Sequence, residues 1–250
     1  MALLVSAYYP LDPPFHNSGS KDWDHRLEQF LRIARLDFPV LVFTDEKHGN
    51  LIRPHLYPSD QVEVNTTTFP DFRTMTTASL IRTYFDSFPH LPSNRNPDKD
   101  TMDYMTLQLC KAQFVASALR MERYRDRHTL AWFDFSMGKL VSSENLVPRF
   151  QHRLDQCIPG KILIPGCWTR YQVVEEELFQ SVCWRFCGSF FCGDRHAITV
   201  FSEAIYRHIG DFMKTKEVLA WEVNVWAWME KYVCPELFQW YLGNHNDTIL

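Results

Sequence analysis

The 250-residue sequence predicts a single α/β domain in which helices flank a mainly parallel sheet. Three observations carry this. Short apolar runs ended by polar or proline residues recur along the chain. Stretches of helical periodicity separate them. The length suits one hydrophobic core, and no internal repeat or low-complexity tract divides it.

The elements follow in order. ALLVSAYY (2–9) is a compact apolar run closed by Pro10 and reads as a buried first strand. LDPPFHNSGS (11–20) has loop composition, and Asp22 can cap a helix carrying Trp23, Leu27, Phe30, Leu31 and Ala34 at helical spacing. PVLVFTD (39–45) is a second buried strand. A short helix follows, then QVEVN (61–65), whose alternation marks an exposed or edge strand. The proline-rich segment 88–100 reads as a surface insertion within the same domain. A long helix is expected over about 101–122. TLAWFDFSMG (129–138) is a third buried strand entering a polar turn, and KILIPG (161–166) and CGSFFCGD (187–194) are further strands. Helices are expected over about 194–214 and 217–231, before the closing LFQWYLGNHNDTIL.

Composition excludes several classes. Hydrophobic residues make up 46% and charged residues 22%, which suits a folded chain and not a disordered one. The net charge of −4 disfavours a duplex nucleic-acid binder. The start lacks a basic n-region, and no apolar run reaches the roughly 20 residues of a membrane span, so a cytoplasmic protein is expected. Seven cysteines at irregular spacing read as reduced thiols; Cys183, Cys187 and Cys192 form no CxxC pair that would signal zinc.

In a parallel sheet, ligands lie beyond the carboxyl ends of the strands. Tyr8, Tyr9, Thr44, Asp45 and Asp134 all fall there. Asp134, in WFDFSMG, either holds a divalent cation that bridges a diphosphate or serves as a turn residue. No GxGxxG and no GxxxxGK[ST] is present, so a diphosphate ligand would need a metal and basic side chains. Counting at about 100° per residue from Leu107 puts Lys111 beside the apolar stripe of its helix. It faces an anion, such as a phosphate or Asp134, or it snorkels to the stripe edge. Glu222 falls within the apolar arc of its helix. It is a general base or donor-sugar contact, or it is half of a buried salt bridge with an arginine or lysine. The glycines of CGSFFCGD let backbone approach a ligand or mark a bend, and Asp194 suits a helix cap. His245 and Asp247, in the tail, offer an imidazole and a carboxylate, unless the terminus frays.

In order and spacing, the segments LLVSAYY, VLVFTDE, DYMTLQLCKAQFV, AWFDFSMGK, CGSFFCGDRHAI, AWEVNVWAW and FQWYLGNHND resemble the HtrL/YibB family, a group related to GT-A-fold glycosyltransferases. The resemblance spans most of the chain. It implies a single GT-A, Rossmann-like unit with a mixed, mainly parallel sheet, residues 1–138 forming a nucleotide-binding half and 139–250 an acceptor and donor-sugar half. It implies transfer of a sugar from a nucleotide sugar, UDP-linked in the favoured case, to a glycan or other hydroxyl acceptor with Mn²⁺ or Mg²⁺. Ala7, Tyr8, Tyr9 and Asp45 would then contact the nucleotide. Asp134-Phe135-Ser136 would stand where a D-x-D motif binds metal and ribose, with Ser136 in place of the second aspartate. His245 would match a further metal ligand, Gly188 would face the donor sugar, and Lys111 would add positive charge. Glu222, or alternatively Asp194, would act at the reacting carbon. A non-catalytic sugar or nucleotide binder of the same fold, a metal-dependent phosphoesterase and an aromatic interaction surface are the rival readings.

Overall fold

The computed structural model describes residues 2–11, 23–56, 61–142 and 144–250. Among these residues seven strands form one sheet: β1 (Leu3–Tyr8), β2 (Val40–Thr44), β3 (Val62–Asn65), β4 (Thr129–Phe133), β5 (Ile162–Gly166), β6 (Phe190–Asp194) and β7 (Phe238–Leu242), in the order β3-β2-β1-β4-β6-β5-β7. Strands β3, β2, β1 and β4 are mutually parallel, as are β5 and β7. Only β6 runs against its two neighbours. The expected mixed, mainly parallel sheet flanked by helices is the fold of this chain.

Because side chains alternate along a strand, each strand feeds both faces. Leu3, Val5, Leu130 and Trp132 join a core under α3 (Thr76–Ser87), α4 (Met102–Leu109), α5 (Lys111–Ala118), α7 (Arg195–Lys216) and α8 (Glu222–Tyr232). Leu4, Ala131 and Phe133 join the opposite core, under α1 (Trp23–Ala34) and α6 (Leu146–Asp155). A short helix, α2 (Glu46–Ile52), follows β2. β2 is buried at every position, which is why its sequence runs apolar without alternation. β3 lies at the sheet's edge and reads as one.

Two helical expectations need correction. The expected helix 101–122 is two helices that meet at Cys110, whose ψ of −7° closes the last turn of α4. Neither glycine nor proline marks this break, so the pattern runs through it. The expected helix 217–231 begins only at Glu222. α7 ends on Glu217 in the left-handed region, and Val218 then bridges to His90 of the 88–100 insertion. The angular positions counted for Lys111 and Glu222 therefore do not hold; each is the first residue of a helix.

Two elements went unread. Leu146, Phe150 and Leu154, four residues apart, are the buried face of α6 and were a usable signal. The closing segment supplies β7, and the tail beyond it is anchored. Tyr241 Oη donates to the Ile249 carbonyl at 2.5 Å, and Ile249 and Leu250 are buried. The expected cap Asp22 and the loop 12–20 lie outside the described residues.

A buried ion pair also escaped the sequence reading. Arg185 donates to both carboxylate oxygens of Glu230, at 2.7 and 2.6 Å, and its Nη1 donates to the Trp168 carbonyl at 2.9 Å. The fork geometry satisfies both buried charges.

Candidate functional site

The parallel strands β1, β2 and β4 end at one edge of the sheet, which places Tyr8, Asp45 and Asp134 on the same side. β6 runs the other way, so its entry, Cys187–Ser189, reaches that edge too. The Asp134 N–H donates to the Ser189 carbonyl at 2.9 Å. β5 and β7 end there as well, which brings Cys167 and residues 243–245 alongside.

At the centre sits Lys111, only 2% exposed. Its ammonium lies 2.9 Å from Asp134 Oδ1 and 2.8 Å from Glu222 Oε1, and it donates to the Gly188 carbonyl at 2.9 Å. Three donors meet three acceptors, so the buried charge is satisfied. Burial alone would lower the Lys111 pKa. The two carboxylates and their hydrogen bonds outweigh burial and hold it above the usual lysine value. Trp132 Nε1 also donates to Asp134 Oδ1, at 2.8 Å. Both contacts fall on one oxygen of a carboxylate that remains partly exposed.

Lys111 thus has the anionic partner that its position called for, and it does not snorkel. Glu222, 6% exposed, has the salt-bridge partner of its structural alternative. As the first residue of α8 its carboxylate also complements the positive end of the helix. Gly188 is glycine because this ion pair fills the space. A Cβ there would lie 2.1 Å from Glu222 Oε1 and 3.3 Å from Lys111 Nζ. Its missing side chain therefore makes room for Glu222.

Asp194 requires correction. Since β6 is antiparallel, Asp194 pairs with Thr129 at the start of β4, roughly 16 Å along the strand from Asp134. It caps α7 by accepting the Ala197 N–H at 2.7 Å, and it accepts the Gly160 N–H at 2.7 Å. No catalytic part remains for it at the Asp134 edge. Asp194→Ala is expected to cost about 1 kcal/mol in denaturant unfolding, as loss of an N-cap does. A loss of ligand binding without loss of stability would contradict this placement.

Tyr9 is likewise corrected from nucleotide contact to core. It is buried, donates to the Phe69 carbonyl at 2.6 Å and packs on Phe72 and Phe114. Burial pushes its hydroxyl well above the usual tyrosine range, with Asp45 adding to this. Tyr8 and Ala7 are only partly buried. The Tyr8 ring lies among Trp23, His48 and Phe135, at centroid distances of 5.0, 5.0 and 4.9 Å. Asp45 caps α2 through the His48 N–H at 2.9 Å and pairs with His48 Nδ1 at 2.7 Å, so its carboxylate is already engaged. Ser136 is half-buried in the turn after Asp134, where its carbonyl accepts the Lys139 N–H.

His245 stands beside the centre. Burial lowers its pKa below the usual histidine value; Asp134 and Glu222 oppose that shift, and Lys111 and Lys139 add to it. A neutral imidazole at neutral pH is the form that binds a metal. Its Nδ1 lies 3.8 Å from Cys187 Sγ. Asp247 does not join the site. It accepts from the Ser142 N–H at 2.6 Å and from Arg149 Nη1 at 2.9 Å.

Two residues that the sequence reading missed lie within electrostatic reach of the strand ends. Burial raises the Tyr104 hydroxyl pKa well above the usual value, and the charges of Glu222 and Asp134 raise it further. Arg26 opposes the upward shift at both Tyr104 and Tyr8. Tyr104 lies within DYMTLQLCK, seven residues before Lys111, but the helix break at Cys110 removes helical spacing as a signal for it.

No family model matches the chain, and no curated protein matches it significantly. Among solved structures, it is similar to 4-diphosphocytidyl-2C-methyl-D-erythritol synthase from Anaerococcus prevotii, with a TM-score of 0.38 and 11% identity over 89% of this chain and 88% of that one. It is also similar to mannose-1-phosphate geranyltransferase from Thermus thermophilus, with a TM-score of 0.43 and 14% identity over 97% of this chain and 73% of that one.

Proposed function

We propose that this chain is a transferase that moves a sugar from a nucleoside-diphosphate sugar, UDP-linked in the favoured case, to a hydroxyl of a glycan or similar acceptor. One observation carries the reading. Asp134 stands where the strand ends converge, with Oδ1 tied down by Lys111 and Trp132 and the carboxylate still partly exposed. A carboxylate held by one oxygen is a positioned ligand for a hard divalent cation such as Mn²⁺ or Mg²⁺. The resemblance to the HtrL/YibB group adds to this reading.

When bound, the cation neutralises charge on the leaving diphosphate. Asp134 Oδ2 would hold it, with His245 Nε2 as a second ligand. The partly exposed Tyr8 ring, braced by Trp23, His48 and Phe135, offers the nucleoside base an aromatic contact, with Ala7 and Asp45 nearby at the strand ends. Arg26 adds positive charge toward the phosphates. Lys111 is committed to two carboxylates, so its part is to hold Asp134 in place. Glu222 Oε1 is likewise committed to Lys111. A carboxylate beside an ammonium is a weak base. Glu222 therefore fits a role in which its other oxygen accepts a hydroxyl of the donor sugar. Ser136 stands where a second acidic ligand would be expected, so a bound cation would rest on Asp134 and His245 from this chain.

One observation favours a second reading, a non-catalytic nucleotide-sugar binder of the same fold. Lys111 already neutralises part of the Asp134 charge, which weakens a single-carboxylate metal site.

A thermal-shift screen of nucleotide sugars with and without Mn²⁺ tests both. A binding ligand raises the melting temperature by mass action, by RT ln(1 + [L]/Kd) in free energy. The transferase reading expects a shift that needs Mn²⁺, together with slow release of free nucleoside diphosphate. A shift without release supports the binder. No shift with any nucleotide sugar removes both.

A further inference from the structure

The ends of β5 and β7 and the segment entering β6 bring Cys167, Cys187 and His245 together. Cys187 Sγ lies 3.7 Å from Cys167 Sγ and 3.8 Å from His245 Nδ1. One donor atom from each residue lies within 4.8 Å of the other two. The Gly243 carbonyl oxygen is 3.4 Å from Cys187 Sγ and 3.6 Å from Cys167 Sγ.

These separations are close to the edges of one tetrahedron. Zinc bonds of about 2.3 Å to sulfur and about 2.0 Å to nitrogen or oxygen, at tetrahedral angles, put two sulfurs about 3.8 Å apart and sulfur about 3.5 Å from nitrogen or oxygen. The spacing is far from that of a disulfide, whose sulfurs lie about 2.05 Å apart. Backbone bonds hold the corners. The Cys187 N–H donates to Pro165 at 2.7 Å, the Cys167 N–H to Trp184 at 3.0 Å and the Gly243 N–H to Gly166 at 3.0 Å. The His245 ring meets Trp184 edge-on at 4.7 Å.

We propose that Cys167, Cys187 and His245 Nδ1 bind a thiophilic divalent metal, zinc foremost, with the Gly243 carbonyl or a water at the fourth corner. Two soft sulfur donors and an imidazole select such a metal over Mn²⁺ or Mg²⁺, which prefer oxygen. Binding replaces the two thiol protons, which leave to solvent, and joins two thiolates to one dication in a neutral unit. None of the sugar-transfer reading is needed for this. The two readings share His245. With zinc on Nδ1 the ring carries its proton on Nε2, so a cation at Asp134 would then rely on Asp134 and the phosphates.

The test is a Co²⁺ titration of the full chain, stripped of metal and kept reduced with a phosphine, followed by Zn²⁺. One equivalent of Co²⁺ should give thiolate-to-cobalt charge-transfer absorption, and Zn²⁺ should displace it and raise the melting temperature. Cys167→Ser and His245→Gln, at partly exposed positions, should each weaken Co²⁺ by more than about tenfold. Cys157→Ser, whose thiol instead meets that of Cys192 at 2.9 Å, and Asp134→Asn should leave the absorption unchanged. Absence of the absorption, or its survival in Cys167→Ser, overturns the proposal. Cobalt absorption kept in Asp134→Asn, with no nucleotide-sugar binding by the unaltered chain, would remove the transfer reading alone.

Discussion

Replacing Asp134 with asparagine is expected to cut Mn²⁺-dependent release of nucleoside diphosphate by about 10²- to 10³-fold, the usual cost of losing one positioned electrostatic group. The exchange keeps the size of the side chain and an oxygen for Trp132 Nε1. Lys111 keeps its contacts with Glu222 and the Gly188 carbonyl. The fold should therefore survive, with a loss of stability near that of one charge-assisted hydrogen bond, about 1.5–3 kcal/mol. Turnover and unfolding measured on one preparation separate the two effects. Turnover equal to that of the unaltered chain would remove Asp134 from cation binding. Unfolding at room temperature would make it a structural residue first.

Lys111→Met should act mainly on stability. It removes the one ammonium lying between two carboxylates and leaves Glu222 buried without its counterion. Breaking a buried pair from one side costs about 3–5 kcal/mol. At this chain length that lowers the melting temperature by roughly 10 °C. The double variant Lys111→Met with Glu222→Gln should recover part of the loss, because no unpaired charge then remains at position 222. If the single and double variants melt alike, Glu222 is not held by Lys111 in solution. The pH dependence has a definite sign. The folded state raises the Lys111 pKa, so it binds this proton more tightly than the unfolded chain does. The contribution is full below the ordinary lysine value, about 10.4, and is lost as pH rises through the higher folded value. The unaltered chain should show this alkaline loss, and Lys111→Met should lack it.

Much of the architecture was legible in local pattern. The buried runs at 2–9 and 39–45 and the alternating edge at 61–65 each emerge as a strand near its expected place. Strand and helix periods are local properties, so composition and spacing reveal them. The break at Cys110 and the late start of α8 were not legible. No glycine or proline stands at either, and the burial that produces them comes from distant segments.

The same division runs through the site. Asp134 could be singled out because it ends an apolar strand. Lys111 and Glu222 could be singled out because a charge among apolar neighbours demands a partner. Their pairing could not be foreseen, since they lie 111 residues apart and meet only across the sheet edge. Asp194 shows the converse. Its sequence context suits a site as well as a cap, and the antiparallel course of β6 alone puts it at the other end.

By itself, then, the sequence determined the α/β class, the strand ends that carry polar groups and the residues whose charge needed an explanation. Only the tertiary structure decided which carboxylates Lys111 satisfies, that Tyr9 and Asp194 are structural, and that Cys167, Cys187 and His245 share one corner. The physical reason is range. Periodicity and capping act over one or two turns of chain. Charge pairing and metal-donor geometry depend on which strand ends the topology brings together, and no local pattern encodes that.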